Sequence, residues 1–267
     1  MPLARAGNIE LSYERAGSGP PLLMIMGMSG TALSWGEPFL DSLREDFETI
    51  IYDHRGVGRS SRMDEPFTIV QLAADALGLL DALEVDSAHV LGISMGGMVA
   101  QELALAHPER IRTLTLGCTY CGGEGSALTS PEVARRLGEE RTSGDRERAI
   151  RASWEANVSP SFAADPDAWA RFLETGLRRR VAVVVIMAQT LAIAGHDTNA
   201  RLAALEIPTL VVHGAEDQIL PVENAHLIAS RIPGARLETF DGVGHLFFLE
   251  RPQRSAELIR DHAAVHA

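Results

Sequence analysis

The sequence contains no lysine, and all 24 of its basic residues are arginine. This absence excludes Schiff-base chemistry, which needs a lysine amine, and the phosphate-binding loop in which a lysine contacts nucleotide phosphates. Positive charge is scarce as well, because 36 acidic residues leave a net charge of −12. A chain of this charge repels polyanions at long range, so we expect no nucleic-acid partner.

Cysteines and long apolar runs are also few. The two cysteines, Cys118 and Cys121, cannot form a disulfide framework. The longest apolar run, residues 181–188, is far shorter than the roughly 20 residues needed to cross a bilayer. Residues 1–17 contain no apolar stretch of the length found in signal peptides. We therefore predict a cytoplasmic protein with no membrane partner.

Short apolar runs alternate with longer amphipathic stretches along most of the chain. Strands are predicted at residues 22–26, 49–52, 88–93, 112–116, 209–213 and 236–240. Helices are predicted at residues 69–83, 95–106, 222–231 and 253–264. This alternation indicates an α/β fold, in which a mostly parallel sheet is covered by helices on both faces. Residues 9–14 alternate polar and apolar side chains, which predicts an antiparallel edge strand.

The alternation stops between about residues 122 and 200. This stretch has no convincing strand pattern, only helical patterns interrupted by Ser159-Pro160 and Asp165-Pro166. We therefore predict one core formed by residues 1–120 and 200–267, with residues 121–199 inserted between them as a helical cap.

Ser94 lies where a buried strand meets a helix, in Gly92-Ile93-Ser94-Met95-Gly96. A tight turn at this junction strains the backbone, and side chains two residues before and after the turn would collide. Glycine at both positions removes those side chains. The helix end offers free N–H groups and a positive dipole to a developing oxyanion. Ser94 is therefore a candidate nucleophile. The alternative, a simple helix N-cap, does not need two flanking glycines.

A nucleophilic serine needs a base, and the base needs a carboxylate that orients it. Among nine histidines, His245 stands in a glycine-containing loop between a strand and the final helix. Asp217 follows the strand at residues 209–213, at the carboxyl end where sites of parallel sheets are assembled. Glu216 is the main rival of Asp217. Asp53 and Asp241 are lesser alternatives, because both also suit turns.

Four motifs together resemble the α/β-hydrolase superfamily, of the serine esterase or lactonase type. They are GISMGG at residues 92–97, HGAEDQILP at 213–221, GVGHLFFLERP at 242–252 and YDHRGVGRSS at 52–61. The resemblance covers roughly residues 8–120 and 200–267. It implies that Ser94 is the nucleophile, His245 the general base and acid, and Asp217 the residue that orients the imidazole.

The resemblance also implies an oxyanion hole, with one departure from the family pattern. Where relatives carry His-Gly before the donor residue, this chain has Met26-Gly27-Met28. The implied donors are the backbone N–H groups of Met28 and Met95. Since the backbone supplies both, the missing histidine does not abolish the hole. It leaves open how the loop is held in place.

The predicted cap contains an unusually apolar stretch at residues 182–194. A helix that is apolar on all sides is buried between layers or lines an apolar cavity. The candidate substrate-pocket residues are Gly27, Trp154, Val184, Met187 and Leu246.

Cys118 and Cys121 have the spacing of a redox or metal pair, but they follow a strand without a helix start. We interpret them as a pocket rim or packing segment.

The function predicted from the sequence is that of a serine carboxylic-ester hydrolase. It would form an acyl-enzyme with small to medium apolar esters or lactones and would need no metal or organic cofactor. Haloalkane dehalogenases and epoxide hydrolases of this fold attack with aspartate, whereas residue 94 is serine. A cofactor-free perhydrolase or haloperoxidase-like enzyme and a hydrolase-like ligand-binding receptor are the alternatives. Esterase, lactonase and methylesterase activities all remain open. The oligomeric state is open too, with a homodimer as one alternative.

Overall fold

A computed structural model describes residues 1–178 and 181–266 of the chain. Within these residues, the strands are β1 (Leu3–Ala6), β2 (Ile9–Gly17), β3 (Pro21–Ile25), β4 (Glu48–Tyr52), β5 (Ala88–Ile93), β6 (Ile111–Gly117), β7 (Thr209–Gly214) and β8 (Arg236–Phe240). They form one sheet in the order β1-β2-β4-β3-β5-β6-β7-β8. The pairs β1–β2 and β2–β4 are antiparallel, and the others are parallel. The prediction of a mostly parallel sheet is confirmed. The edge strand is β1, however, and the predicted edge strand is its inner neighbour β2.

The α-helices of the described residues are α1 (Glu37–Arg44), α2 (Ile69–Ala82), α3 (Met95–Ala106), α4 (Pro131–Thr142), α5 (Arg146–Asn157), α6 (Pro160–Ala163), α7 (Pro166–Arg178), α8 (Val183–Ala194), α9 (Glu223–Arg231), α10 (Phe247–Glu250) and α11 (Pro252–Val265). None of them combines the length and apolar character that crossing a bilayer requires.

Helices cover both faces of the sheet, as predicted. Side chains of a strand point alternately to its two faces. In β3, Leu22 and Met24 pack into the core beneath α1 and α11, whereas Leu23 and Ile25 pack into the core beneath α2, α3 and α9. Both cores are therefore built from the same strands, and the sheet is buried between them.

The strand order determines where loops converge. After β3 the chain adds β4 on one side of β3, and after α2 it returns to add β5 on the other side. In sheets of this type, ligands bind at the carboxyl edge where the strand order changes direction. The loops after β5, β6, β7 and β8 open at that same edge, because these strands are parallel. Ser94, Asp217 and His245 all lie in these loops.

Residues 131–194, named here the helical segment, contain α4 to α8. Its described part has no strand, in agreement with the sequence pattern. Trp154 is buried against Phe162, Trp169 and Phe172, so it belongs to a small core of this segment. The indole N–H of Trp154 donates to the carbonyl of Ala163 at 3.2 Å. The division into a core of residues 1–120 and 200–267 and a cap of residues 121–199 stays a prediction.

Helix α8 corrects one expectation. Its face formed by Val185, Ala188, Gln189 and Ala192 is buried, but the opposite face is open to solvent. Val184 is 60% exposed and Met187 is 61% exposed. The expectation that α8 is buried between layers is wrong, because α8 packs against the rest of the chain on one stripe only. The alternative, that α8 lines an apolar cavity, stays a prediction.

Candidate active site

Ser94 stands on a strained turn between β5 and α3. Its φ and ψ of 56° and −123° lie outside the regions that L-residues favour, a strain that costs about 1–3 kcal/mol. A Cβ atom on Gly92 would lie 2.3 Å from the carbonyl oxygen of Gly96, and one on Gly96 would lie 2.0 Å from that of Ile25. Both glycines are therefore required. The Ser94 side chain makes no N-cap hydrogen bond, so the N-cap interpretation fails.

Two hydrogen bonds to the backbone of Ser94 fix the turn against the end of β6. The N–H of Ser94 donates to the carbonyl of Gly117 at the end of β6, at 2.9 Å. The hydroxyl of Thr119 donates to the carbonyl of Ser94 at 2.7 Å. Ser94 itself remains partly exposed. Its hydroxyl has no hydrogen-bond partner among residues 1–178 and 181–266, so its contact with His245 stays a prediction.

His245 and Asp217 form a buried hydrogen-bonded pair. Nδ1 of His245 donates to Oδ2 of Asp217 at 2.6 Å. The rival Glu216 and the lesser alternative Asp241 are exposed. Asp53 is buried elsewhere, and its Oδ1 accepts from the N–H of Ala32 at 2.8 Å. Among the four carboxylates considered, Asp217 is the one hydrogen-bonded to the imidazole.

The carboxylate of Asp217 is held from both sides. Its Oδ1 accepts from the N–H groups of Ile219 and Leu220 at 2.8 and 2.9 Å. Its Oδ2 also lies 3.1 Å from Nε2 of His213. Burial alone would raise the pKa of Asp217, but the electrostatic attraction and hydrogen bonds of His245 and His213 outweigh it. The pKa of this carboxyl therefore lies well below its usual range, and Asp217 is an anion at any physiological pH.

Two residues beside Asp217 were not predicted from the sequence. The buried His213 is the penultimate residue of β7, and its Nε2 donates to the carbonyl of Leu220 at 2.8 Å. Cys118 follows β6 with a φ of 41° and is completely buried. The sequence did show that Cys118 follows the end of a strand, but we interpreted Cys118 as part of a packing segment or pocket rim. His213 lies inside an apolar strand, where a polar residue gives no hint of its partner.

One group of potential metal ligands lies close together in the described part of the chain. Atoms of Cys118, Asp217 and His245 all lie within 4.8 Å of one another. Burial, and then the nearby charge of Asp217, raises the pKa of the Cys118 thiol. A thiol binds metal as the thiolate, so at neutral pH the Cys118 thiol stays protonated beside the carboxylate. Cys121, the other member of the predicted pair, lies beside Gly122 and Ser126 instead.

Residues 26–30, named here the oxyanion loop, follow β3 and lie against Ser94, the candidate nucleophile. A Cβ atom on Gly27 would lie 3.0 Å from Cβ and 3.5 Å from Oγ of Ser94. Met28 is partly exposed beside it. Met95 opens α3, so its N–H has no acceptor within the helix. These two backbone N–H groups remain the predicted donors of the hole.

The structure also indicates what holds this loop without the usual histidine. Nε2 of the buried His54 donates to the carbonyl of Met26 at 2.9 Å. Burial lowers the pKa of His54, so the imidazole is neutral at physiological pH. Oε1 of Gln189, on α8, accepts from the N–H of Ser29 at 2.9 Å. Neither contact was predicted, because Gln189 is far away in the sequence and His54 lies in a motif read as a turn.

A buried carboxylate ties the His245 loop to the helical segment. Oε1 of Glu250 accepts from the N–H groups of Ser159 and Gly244 at 2.9 and 2.8 Å. Its Oε2 accepts from the hydroxyl of Ser159 at 2.5 Å. The N–H of Leu246 donates to the carbonyl of Asn157 at 2.9 Å. The residues flanking His245 are thus bonded to the link between α5 and α6.

The predicted pocket residues divide into two groups. Gly27 touches Ser94, and the partly buried Leu246 adjoins His245 and packs against the Trp154 cluster. Trp154 itself lies in the core of the helical segment, and Val184 and Met187 face solvent. The structure therefore brings only Gly27 and Leu246 close to the candidate catalytic residues. The assignment of the whole set to a pocket stays a prediction.

Comparison with known proteins identifies the family of the chain. Residues 20–252 match the family model described as alpha/beta hydrolase fold. The chain is 33% identical to the putative carbamate hydrolase RutD of Azorhizobium caulinodans over 97% of both proteins. It is 33% identical to the rhodomycin D methylesterase DauP of Streptomyces sp. strain C5, over 84% of each.

A solved structure extends the likeness to three dimensions. The crystal structure of the enol-lactonase from Burkholderia xenovorans LB400 superposes with a TM-score of 0.83 at 27% identity, and the match covers 98% of this chain and 100% of that one. The sheet order, the strained serine turn and the family match lead to one conclusion: this chain belongs to the α/β-hydrolase family.

Proposed function

We propose that the protein is a serine carboxylic-ester hydrolase with Ser94, His245 and Asp217 as its catalytic triad. The observation that carries the proposal is the strained Ser94 turn at the same sheet edge as the buried Asp217–His245 pair. Because Nδ1 of His245 gives its proton to a hydrogen bond with Asp217, Nε2 is free to accept the proton of the serine hydroxyl.

The proposed reaction proceeds in two halves. Oγ of Ser94 attacks the ester carbonyl while Nε2 of His245 takes the hydroxyl proton. The backbone N–H groups of Met28 and Met95 stabilise the oxyanion. His245 then gives the proton to the departing alcohol, which leaves an acyl-enzyme. Water, deprotonated by His245, attacks the acyl group and releases the acid, and Ser94 regains its proton. No metal or organic cofactor is required.

The relatives support esters or lactones as substrates. A methylesterase and an enol-lactonase are similar to this chain across most of its length. Met28 and Leu246 beside the candidate catalytic residues favour small to medium apolar groups. The relative named as a putative carbamate hydrolase adds carbamates as a class to test, since attack on a carbamate carbonyl uses the same groups. We further propose that residues 121–199 form a cap over this site.

A substrate panel tests the proposal directly. Short and medium p-nitrophenyl esters, methyl esters, lactones and carbamates are assayed with wild type and Ser94→Ala. We expect ester or lactone turnover in the wild type and a loss of roughly 10³-fold or more in the variant, because the oxyanion hole alone supports only a residual rate. Mass spectrometry after treatment with a fluorophosphonate checks that Ser94 is the labelled residue. Labelling of a different residue contradicts the proposal.

Two alternatives, a perhydrolase and a ligand-binding receptor, are distinguished when an assay with acetate and peroxide is added to the panel. A perhydrolase forms peracid from acetate and peroxide faster than it hydrolyses esters. A ligand-binding receptor gives at most one burst of p-nitrophenol for each protein molecule. Either result replaces the esterase assignment.

A further inference from the structure

The oxyanion loop contains a strained turn that needs an external support. The N–H of Gly30 donates to the carbonyl of Gly27 at 3.3 Å and closes a four-residue turn. Ser29, its third residue, has a φ of 59°, in the left-handed region where glycine or asparagine is usual. Rotation of the Met28–Ser29 peptide would convert such a turn into a form without positive φ. A contact to this peptide is therefore needed to keep the strained form.

Gln189 makes that contact from a distant part of the chain. Its Oε1 accepts from the N–H of Ser29 at 2.9 Å, across 160 positions of sequence. Two neighbouring contacts act elsewhere on the loop. His54 holds the carbonyl of Met26, and the hydroxyl of Thr190 lies 3.6 Å from Sδ of Met28. Of these three residues, Gln189 is therefore the one that binds the central Met28–Ser29 peptide of the turn.

The Nε2 atom of Gln189 argues against a role of this residue in stability. The side chain is completely buried, and its Nε2 has no hydrogen-bond partner in the described part of the chain. A buried donor without an acceptor lowers stability compared with an apolar side chain of the same size. Residues that reduce stability are found where function requires them.

We propose that Gln189 is the positioning residue of the oxyanion hole. By accepting the N–H of Ser29, it keeps the Met28–Ser29 peptide in its strained orientation and anchors the turn. The preceding Gly27–Met28 peptide of the same turn carries the backbone N–H of Met28, so the anchored turn holds this donor in place for the oxyanion that forms on Ser94. Gln189 acts through the loop and does not contact the reacting carbonyl. This inference rests on the proposed ester hydrolysis at Ser94.

The test compares Gln189→Met with a matched variant, Gln101→Met. Gln101 is also completely buried, but both ends of its amide are paired. Its Nε2 donates to the carbonyl of Tyr120 at 3.1 Å, and its Oε1 accepts from Thr198 at 2.5 Å. For Gln189→Met we expect kcat to fall about 10- to 100-fold, with KM within about twofold and a Tm no lower than that of wild type. For Gln101→Met we expect a lower Tm and a kcat within about twofold of wild type.

A second readout does not depend on the identity of the substrate. Phosphonylation of Ser94 by an alkyl fluorophosphonate places a phosphoryl oxygen in the same hole. Its rate in Gln189→Met should fall by about the same factor as kcat. A wild-type phosphonylation rate in this variant overturns the inference. So does a loss of Tm as large as that of Gln101→Met, because the role of Gln189 is then structural.

The two proposals fail in different ways. If Ser94 of the wild type is phosphonylated but no ester is hydrolysed, the proposed function is wrong, and the phosphonylation rates still decide the role of Gln189. If Ser94 of the wild type is not phosphonylated, both proposals are wrong.

Discussion

Replacement of Asp217 by asparagine should reverse the tautomer of the His245 imidazole. Oδ1 of Asp217 accepts two backbone N–H groups, from Ile219 and Leu220, at 2.8 and 2.9 Å. In the variant, the amide oxygen must take this position, because an NH₂ group there would face two donors. The NH₂ group then replaces Oδ2 and faces Nδ1 of His245, which is 2.6 Å from that oxygen in the wild type.

An imidazole facing an NH₂ group becomes an acceptor at Nδ1, so its proton moves to Nε2. With a proton on Nε2, His245 cannot take one from the hydroxyl of Ser94. The negative charge that stabilises the imidazolium is lost as well. His213 increases the cost, because its Nε2 lies 3.1 Å from the replaced oxygen and would face an NH₂ group instead of a carboxylate oxygen. In a serine protease the same exchange lowers kcat about 10⁴-fold, or about 5 kcal/mol of transition-state stabilisation.

The measurement uses three purified variants, Asp217→Asn, Glu216→Gln and Asp241→Asn, on one short-chain ester. Circular dichroism confirms that each variant is folded. We expect a loss of about 10⁴ in kcat for Asp217→Asn and kcat within about threefold of wild type for the two exposed carboxylates. If Asp217→Asn retains a tenth or more of the activity, the tautomer argument is wrong. An inactive Glu216→Gln with an active Asp217→Asn would assign the acid to the neighbouring residue.

Two further predictions follow from contacts and burial. Gly27→Ala places a Cβ 3.0 Å from that of Ser94, so kcat/KM should fall about tenfold or more. The control Gly138→Ala has nothing within 4 Å of its new Cβ and should leave kcat/KM unchanged. Equal kcat/KM values for the two variants refute the contact argument. Burial lowers the pKa of His89 and of His196 to about 4, so the native state stays neutral where the unfolded state binds protons. Stability should therefore be fully present above about pH 6.5 and fall toward pH 4, by at most about 3 kcal/mol for each histidine. Urea unfolding at pH 7 and pH 4.5 measures the loss of unfolding free energy, and this loss should be smaller in His196→Gln than in the wild type. An identical loss in the variant contradicts the prediction.

The features predicted from the sequence are those that depend on local pattern. Strands β5 and β8 and helix α3 begin and end where periodicity and flanking glycines placed them. Strand β1 was missed, although Gly7, with a φ of 62°, marks the hairpin turn between β1 and β2. The outer face of α8 was misjudged because nearly all of its side chains are apolar. In such a helix no polar stripe marks the exposed side, and the one large polar residue, Gln189, points inward.

The residues around the candidate site were predicted in part. Ser94, Asp217 and His245 follow predicted strands, so a parallel sheet brings them to one edge. His213, Cys118 and Gln189 could not be assigned from the sequence, because their roles depend on contacts that only the folded chain creates. The hydrogen bond from Ser29 to Gln189 joins a loop to a helix outside the alternating part of the chain. No periodicity in a single sequence carries that information.

The carboxylate of Glu250 limits how this protein can be recombined with its relatives. It receives three hydrogen bonds, two from Ser159 and one from Gly244. A chimera that takes residues 131–194 from one parent and the remainder from another would join Glu250 to a foreign backbone. Without a hydroxyl at the position of Ser159, the buried carboxyl group of Glu250 loses one of its three partners, and the attachment of the loop that carries His245 is weakened. Residues 157–159 and 244–250 must therefore be inherited together.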